Sequence, residues 1–162
     1  MILPNILPYD SYNGDFKSFY EDVYKIFRND FVNNRPVYKG RILGLKKHPQ
    51  IDGKEYTFYH FTHKGDIESE RIPDLRRMER IPYPSPMINQ SNDDDLKVWK
   101  NKRGRNKRIL IFHEQERYLV VLEERKAYIL PWTAYLVENE SNVKKLLKEY
   151  GDYKNAKAAQ ER

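Results

Sequence analysis

Residues 108–137 read RILIFHEQERYLVVLEERKAYILPWTAYLV and contain the clearest structural pattern of the chain. Three apolar runs lie in this stretch, at residues 108–112, 118–122 and 127–137, and short polar segments separate them. Short apolar runs joined by tight polar turns are typical of antiparallel strands that neighbour one another in a sheet. The sequence therefore predicts a β-meander over residues 108–137.

Amphipathic helices are predicted on both sides of this meander. Apolar side chains recur at spacings of three and four before it, which is the stripe of a helix near residues 15–32 with Asp15 as its N-cap. The members of this stripe are Phe16, Phe19, Tyr20, Val23, Ile26, Phe27 and Phe31. A second stripe, with Ser141 as the cap, predicts a helix near residues 141–158. Its members are Val143, Leu146, Leu147, Tyr150 and Tyr153.

The middle of the chain is predicted from composition. Residues 56–62 are rich in aromatic residues and Thr, which favours a strand of the same sheet. Residues 67–80 resemble a charged helix interrupted at Pro73, and the prolines at 82, 84 and 86 indicate an extended crossing. The predicted fold class is α+β, with an N-terminal helix, an antiparallel sheet and a C-terminal helix. We expect one domain over 1–162, in which 1–36 form a helical extension and 37–160 form the core.

Composition restricts the class of protein. The 162 residues include 30 Lys and Arg against 24 Asp and Glu, a formal charge of +6 that favours a polyanionic partner. Aromatic residues make up 14% of the chain, which argues against disorder, and no apolar run approaches the ~18 residues of a membrane span. We therefore expect a cytoplasmic protein with no membrane contact. The absence of Cys excludes a disulfide scaffold, a thiolate zinc site and a Cys nucleophile.

Two histidines are candidates for proton transfer. Imidazole is the side chain that gains and loses a proton near neutral pH, so His60 or His63 is a candidate general base or acid. Alternation on the predicted strand places the two on opposite faces, and His60 is favoured because it lies inside the strand. The alternative is a structural role for both. No spacing of His residues in the sequence indicates a metal site, and no cofactor is expected.

Two groups of basic residues are candidates for phosphate binding. The first contains arginine and no lysine, and guanidinium groups match phosphate oxygens bidentately; its members are Arg71, Arg76, Arg77 and Arg80. Its alternative is a solvated helix face that pairs with Asp74 and Glu79. The second lies in 97–108 and indicates a flexible, phosphate-contacting loop, or else the basic tip of a hairpin. Its members include Lys100, Lys102, Arg103, Arg105 and Lys107.

Thr133 and Tyr135 share one face of the last predicted strand, because side chains alternate along a strand. Two neighbouring hydroxyl groups can orient a phosphate, although an ordinary exposed strand face has the same composition. The strand Thr133-Ala134-Tyr135 is followed by Val137-Glu138-Asn139 and by the lysine-rich stretch 144–150. This order resembles the end of the BECR-fold ribonucleases, the barnase, EndoU, colicin D and RelE-like enzymes, and especially their phage-associated, polyvalent-protein branch.

A second part of the resemblance lies upstream. In these ribonucleases an aromatic-flanked His and a Gly precede an Arg-rich helix, which is similar to residues 59–65 and 71–80 here. The resemblance covers about residues 56 to 153 and leaves the N-terminal helix outside it. It implies a BECR/RelE-like arrangement of the α+β fold and metal-independent cleavage of RNA, in which the ribose 2′-OH attacks the adjacent phosphate.

The resemblance also implies residue roles. His60 or His63 would be the base or acid, Arg76, Arg77 or Arg80 the phosphate clamp, and Thr133 a hydroxyl donor to the phosphate. Glu79 and Tyr135 are candidates for the second proton-transfer group. The prediction is an endoribonuclease of toxin, phage or defence type, with RNA and an antitoxin or inhibitor protein as partners. The alternatives are a nucleic-acid-binding module without catalysis and a small phage-related interaction protein.

Overall fold

A computed structural model describes residues 1–161. The N-terminal part of the protein is a helix whose buried face is aromatic. Helix α1 (Phe16–Phe27) follows a 3-10 turn at Tyr9–Tyr12 and continues as a π-helical turn at Arg28–Asn33. The Asp15 side chain accepts a hydrogen bond from the Ser18 backbone N–H at 3.1 Å, so the predicted N-cap is confirmed. A hairpin of two short strands, β1 (Val37–Tyr38) and β2 (Arg41–Ile42), comes next.

Residues 56–62 form a helix, α2 (Tyr56–Thr62), so the predicted strand is wrong. The Thr62 hydroxyl donates to the Phe58 carbonyl at 2.7 Å, a contact across one helical turn. Phe58 and Phe61, three residues apart, both pack against Phe27 of α1, with ring centroids 5.1 and 6.2 Å away. The aromatic composition of this segment therefore serves helix packing rather than a pleated sheet.

The segment between α2 and the sheet is built from short elements. Strand β3 (His63–Lys64) pairs with β4 (Ile72–Pro73) and closes a loop that contains a 3-10 turn at Glu68–Glu70. Instead of the long charged helix predicted over 67–80, only α3 (Leu75–Glu79) forms.

Helix α4 (Pro84–Asn89) then replaces the extended crossing that the prolines predicted. Pro84 and Pro86 lie in its first turn, where backbone N–H groups have no partner within the helix, so the missing hydrogens cost little.

Four antiparallel strands form the main sheet in the order β5-β6-β7-β8. They are β5 (Leu96–Arg103), β6 (Asn106–His113), β7 (Tyr118–Glu124) and β8 (Ile129–Leu136). The predicted meander is confirmed, because β6, β7 and β8 pair as neighbours. Of the two interpretations of residues 97–108, the flexible loop is wrong and the basic hairpin is confirmed: most of these residues pair as a β5–β6 hairpin, with Gly104 at φ +62° in its turn.

The C-terminal helix, α5 (Glu140–Gln160), is also confirmed, although Asn139 rather than Ser141 caps it. Its half-buried face packs with Trp99, Phe112 and Leu119 on one face of the sheet. The other face packs with the aromatic side of α1 and with α2 and α4, which gives the larger of the two cores. The arrangement is the predicted mixed α+β class. None of the helices formed by residues 1–161 combines the length and the apolar character needed to cross a bilayer.

Candidate functional site

Strand β8 is an edge strand of the main sheet, and a cleft of about 430 Å³ lies beside it. Helix α2, the loop between β3 and β4, helix α3 and the face of the sheet that carries α5 all contribute side chains. We call this 430 Å³ cleft the arginine cleft. It is lined by His60, Gly65, Asp66, Glu68, Arg71, Arg77, Arg103, Arg108, Val121, Trp132, Thr133 and Tyr135.

An imidazole–carboxylate pair lies at one end of the arginine cleft. His60 Nε2 is 2.8 Å from Glu68 Oε2, and the Tyr56 hydroxyl donates to the same oxygen. An ionised carboxylate only accepts hydrogen bonds, so Nε2 carries the imidazole hydrogen and Nδ1 carries the lone pair. Because Glu68 orients the ring and fixes its tautomer, the pair has the geometry by which a carboxylate supports a histidine base.

The surroundings of His60 favour its neutral form. Burial lowers the pKa of His60 below its usual value, and the charges of Arg71 and Arg77 lower it further, against the opposing effect of Glu68. The side chain is 5% exposed, with the Tyr56 ring 4.6 Å away and the Trp132 ring edge-on at 5.1 Å. At neutral pH His60 is therefore ready to accept a proton rather than to donate one.

Glu68 remains ionised beside this imidazole. Its partial burial works to raise its pKa, but the hydrogen bonds from Tyr56 and His60 and the charge of Arg71 outweigh burial and lower the pKa below its usual value. Arg71 Nη1 lies 3.8 Å from Glu68 Oε1, while Arg71 Nη2 donates to the His63 carbonyl at 2.7 Å. Arg71 thus connects the loop that carries Glu68 to the end of α2.

Arg77 joins α3, α2 and β8 in the floor of the arginine cleft. Its Nη1 donates to the carbonyls of His60 and His63 at 3.1 and 2.9 Å and to Thr133 Oγ1 at 3.3 Å. Thr133 Oγ1 in turn donates to the His60 carbonyl at 3.2 Å. These carbonyls belong to the C-terminal end of α2, where a positive charge is stabilising. Arg77 therefore has a structural role, and its guanidinium also borders the arginine cleft.

The opposite wall comes from the β5–β6 hairpin. Asn101 pairs with Arg108 and Arg103 with Asn106, so Arg103 and Arg108 project from the same face of the sheet. Across the sheet the register places Thr133 opposite Val121 and Tyr135 opposite Leu119 on that face. The Arg108 guanidinium lies 5.9 Å from the Trp132 ring centre. Among the described residues neither Arg103 nor Arg108 forms an ion pair within 4.0 Å.

The charge balance of the arginine cleft favours an anion. Four guanidinium groups line the arginine cleft. Arg71 pairs with Glu68 and Arg77 with Asp74, which leaves Arg103 and Arg108 without an ion pair among the described residues, with Asp66 as the other carboxylate of the lining. Guanidinium groups match phosphate oxygens in pairs, and the Tyr135 hydroxyl adds a neutral donor, whereas the single hydrogen of the Thr133 hydroxyl is already donated to the His60 carbonyl. The half-buried Trp132 ring supplies an aromatic wall. An oxyanion such as a phosphodiester is the ligand chemistry that this set of groups fits.

The sequence-predicted residues divide into two groups in the structure. The arginine cleft brings together His60, Arg71, Arg77, Arg103, Thr133 and Tyr135. The His63 ring lies outside it, 4.6 Å from the Tyr59 ring and with Nδ1 2.9 Å from Thr62 Oγ1. Glu79 accepts from the Tyr9 backbone N–H at 2.9 Å and also lies elsewhere.

The remaining predicted basic residues do not line the arginine cleft. Arg76 pairs with Glu138, and Arg80 lies beside Tyr83 and the N-terminal segment. Lys100 pairs with Glu124 at 3.3 Å, and the other basic residues, Lys102, Arg105 and Lys107, are exposed on the hairpin.

Four lining residues with charged or aromatic side chains were not predicted as site residues: Asp66, Glu68, Arg108 and Trp132. Glu68 lies in an acidic loop with no periodicity, so its contact with His60 depends on the fold of residues 63–73. Arg108 and Trp132 belong to predicted strands that do not pair with each other, and the distance from the Arg108 guanidinium to the Trp132 ring shows that they meet. Arg108 was the one with a sequence signal, since it ends the basic run.

No protein-family model, curated protein or solved structure matches this chain. Within residues 1–161, no group of three or more His, Asp or Glu side chains is arranged to hold a metal ion.

Proposed function

We propose that the protein is an endoribonuclease that cleaves RNA without a metal ion, in the arginine cleft. One observation carries the proposal: a histidine favoured in its neutral form and oriented by Glu68 lies in the same cleft as four arginines. The arginines supply the charge that a phosphodiester requires, and the imidazole supplies the base that activates the neighbouring 2′-OH. The resemblance to the BECR-fold ribonucleases suggests the same chemistry.

Binding comes first in this proposal. Arg71, Arg103 and Arg108 contact the oxygens of the scissile phosphate or its neighbours, and Arg77 contributes from the floor, where Thr133 holds the His60 carbonyl. These donors are held by the fold before the substrate arrives, so they stabilise the charge that grows on the phosphorane without reorganising. The Trp132 ring offers an aromatic surface to a nucleobase, and base–aromatic stacking is largely independent of sequence.

Proton transfer follows. His60 Nδ1 takes the proton from the 2′-OH, O2′ attacks phosphorus, and the bond from phosphorus to O5′ breaks. The departing O5′ takes a proton from the Tyr135 hydroxyl or from water, which leaves a 2′,3′-cyclic phosphate and a free 5′-OH. The step requires the 2′-OH, so the substrate is RNA and DNA is not cleaved.

A second candidate function is RNA binding without cleavage, and the burial of His60 favours it. The imidazole is only 5% exposed, and its Nε2 is already hydrogen-bonded to Glu68. A histidine with a purely structural role would have the same contacts. The arginines would then bind phosphates alone. An inhibitor protein that covers the arginine cleft is compatible with either function.

The two candidates are separated by incubating the purified protein with a labelled single-stranded RNA in excess EDTA. We expect products that end in a 2′,3′-cyclic phosphate, and no cleavage of the same sequence made as DNA. A control variant, His48→Ala, should cleave RNA like the wild type, because His48 is exposed and outside the arginine cleft. RNA retention without any product supports the second candidate, and the absence of both retention and cleavage contradicts both.

A further inference from the structure

A second, larger cavity adjoins the arginine cleft. It has a volume of about 720 Å³ and lies between the C-terminal end of β8 and the first three turns of α5. Arg103 and Tyr135 line both cavities. We call this second cavity the helix groove. Both volumes fall in the range of about 300–1,000 Å³ that is typical of ligand sites.

The acidic residues of the helix groove are already engaged. Glu149 Oε1 accepts hydrogen bonds from Trp99 Nε1 and Asn101 Nδ2, each at 2.7 Å. Glu138 pairs with Arg76 of α3. The two cations of the helix groove, Lys145 and Arg103, form no ion pair within 4.0 Å among the described residues. Trp99 and Asn101 are neutral donors, so the formal charge of Glu149 still counts. The groups without an ion-pair partner in the helix groove are therefore two cations and one carboxylate, a net formal charge of +1.

The wall of the helix groove also carries groups that can contact the base of a nucleotide. The exposed Asn142 amide offers both a donor and an acceptor, which can meet a base edge. Leu136, Val137 and Leu146 provide apolar surface next to it. Unpaired bases expose their Watson–Crick edges and their faces, whereas a duplex pairs those edges and stacks those faces, so this mixture of groups favours a single strand.

We propose that the helix groove binds the nucleotides next to the scissile phosphate, so that the substrate is single-stranded RNA several nucleotides long. The inference rests on the proposed function, since it assumes that a phosphodiester occupies the arginine cleft. From there the strand crosses the boundary formed by Arg103 and Tyr135. The next phosphate then lies against Lys145, and the adjoining base lies along α5.

Direct binding tests this extension separately from catalysis. Oligonucleotides of two and eight residues, made as 2′-O-methyl RNA with a fluorescent label, lack the 2′-OH nucleophile and stay intact. The Lys145→Glu variant should bind the octanucleotide about tenfold more weakly than the wild type, with a salt slope smaller by about one. The loss should be larger for the octanucleotide than for the dinucleotide. The milder Lys145→Met variant should fall between Lys145→Glu and the wild type.

The Lys144→Glu variant is the matched control. Lys144 is the adjacent exposed lysine of α5 and does not line the helix groove, so both variants change the net charge equally. Equal octanucleotide affinities for Lys144→Glu and Lys145→Glu would overturn the inference, even with the wild type cleaving RNA. A duplex that binds as tightly as the single strand would also overturn it. A wild type that binds no octanucleotide would refute both the helix groove and the proposed function.

Discussion

His60 is the general base of the proposed mechanism, so its removal should slow the cleavage of RNA. The His60→Ala variant is expected to cleave RNA at least about a hundredfold more slowly, the usual effect of removing a general base. His63→Ala should cost far less, because the His63 ring lies against Tyr59 and Thr62 rather than in the arginine cleft. The measurement is the initial rate on a labelled RNA, with circular dichroism to confirm that each variant is folded.

The two histidines are close controls for each other, since both are buried and only three positions apart. The base would be His63 if the His63→Ala variant did not cleave RNA and the His60→Ala variant lost stability but still cleaved it. Normal rates in both variants would remove histidine from the chemistry and favour the binding function.

The pKa of His60 should shift in opposite directions when two of its charged neighbours, Glu68 and Arg71, are changed one at a time. Glu68 raises the pKa of His60, so Glu68→Gln is expected to lower that pKa further. The charge of Arg71 lowers the pKa of His60, so Arg71→Gln is expected to raise it. The measurement is the pH dependence of the His60 ring signals in a proton–nitrogen NMR spectrum. Shifts of the same sign in both variants would contradict the assigned electrostatics.

At the scale of elements, the β5–β6 hairpin separates two arginines that the sequence treats alike. Arg103 lines both the arginine cleft and the helix groove, whereas Arg105, two residues on, lines neither. Arg103→Glu is therefore expected to weaken RNA binding about tenfold, equivalent to about 1.4 kcal/mol, while Arg105→Glu changes it much less. Fluorescence anisotropy at several salt concentrations measures both effects.

The matched charge change makes the hairpin result specific. Both variants replace one exposed arginine near the turn, so nonspecific loss of positive charge affects them equally. An equal loss in the two variants would indicate general electrostatic attraction rather than a site. Unchanged affinity in Arg103→Glu, with an unchanged melting curve, would remove the hairpin from the site.

The elements that sequence predicted well carry a local signal. The α1 stripe repeats with the period of a helix, and β6 and β7, which are buried on both faces, are short continuous apolar runs bounded by polar turns. Helix α2 could not be recognised locally, because Thr57 to Thr62 are all buried and no exposed face remains to show a period. Strand β5 was missed for the opposite reason: it is an edge strand rich in Lys and Arg, as protected edges often are.

The candidate site shows the same division. Thr133 and Tyr135 share a face because of the strand period, so their proximity followed from the sequence. Glu68 reaches His60 through the fold of the β3–β4 loop, and Arg108 meets Trp132 of β8, a strand with which β6 does not pair, so neither contact could be placed from local patterns. Residue types alone could propose the chemistry, but not which of several arginines share a cleft.

At the scale of the whole molecule, the sheet separates two cores and carries the arginine cleft on the side of the smaller one. The larger core lies between the sheet and α1, α2 and α4, while α5 packs with Trp99 and Leu119 on the opposite face. Helix α2 contributes Phe58 and Phe61 to the larger core and His60 to the arginine cleft. The position of the imidazole is therefore tied to the packing of the larger core, as a catalytic group requires.

This coupling makes the stability of the fold depend on pH. Burial lowers the pKa values of both His60 and His63 in the folded protein, whereas the unfolded chain keeps the usual value of about 6.5. Below pH 6.5 the unfolded chain therefore binds more protons, and the free energy of unfolding should fall from pH 7.5 to pH 5.5. The carboxyl groups with lowered pKa values, Asp15, Glu68 and Asp95, respond only at more acidic pH.

Urea denaturation at pH 7.5 and pH 5.5 measures this dependence, with the double variant His60→Gln and His63→Gln as the comparison. We expect the double variant to be less stable at pH 7.5, because it loses native contacts, and to lose much less stability on acidification, because the two buried titrating groups are gone. The difference between the two pH values is the informative quantity, since the packing defect is present at both. A wild type equally stable at both pH values, or a double variant with an equally large decrease, would contradict the idea that these buried histidines control the response to acid.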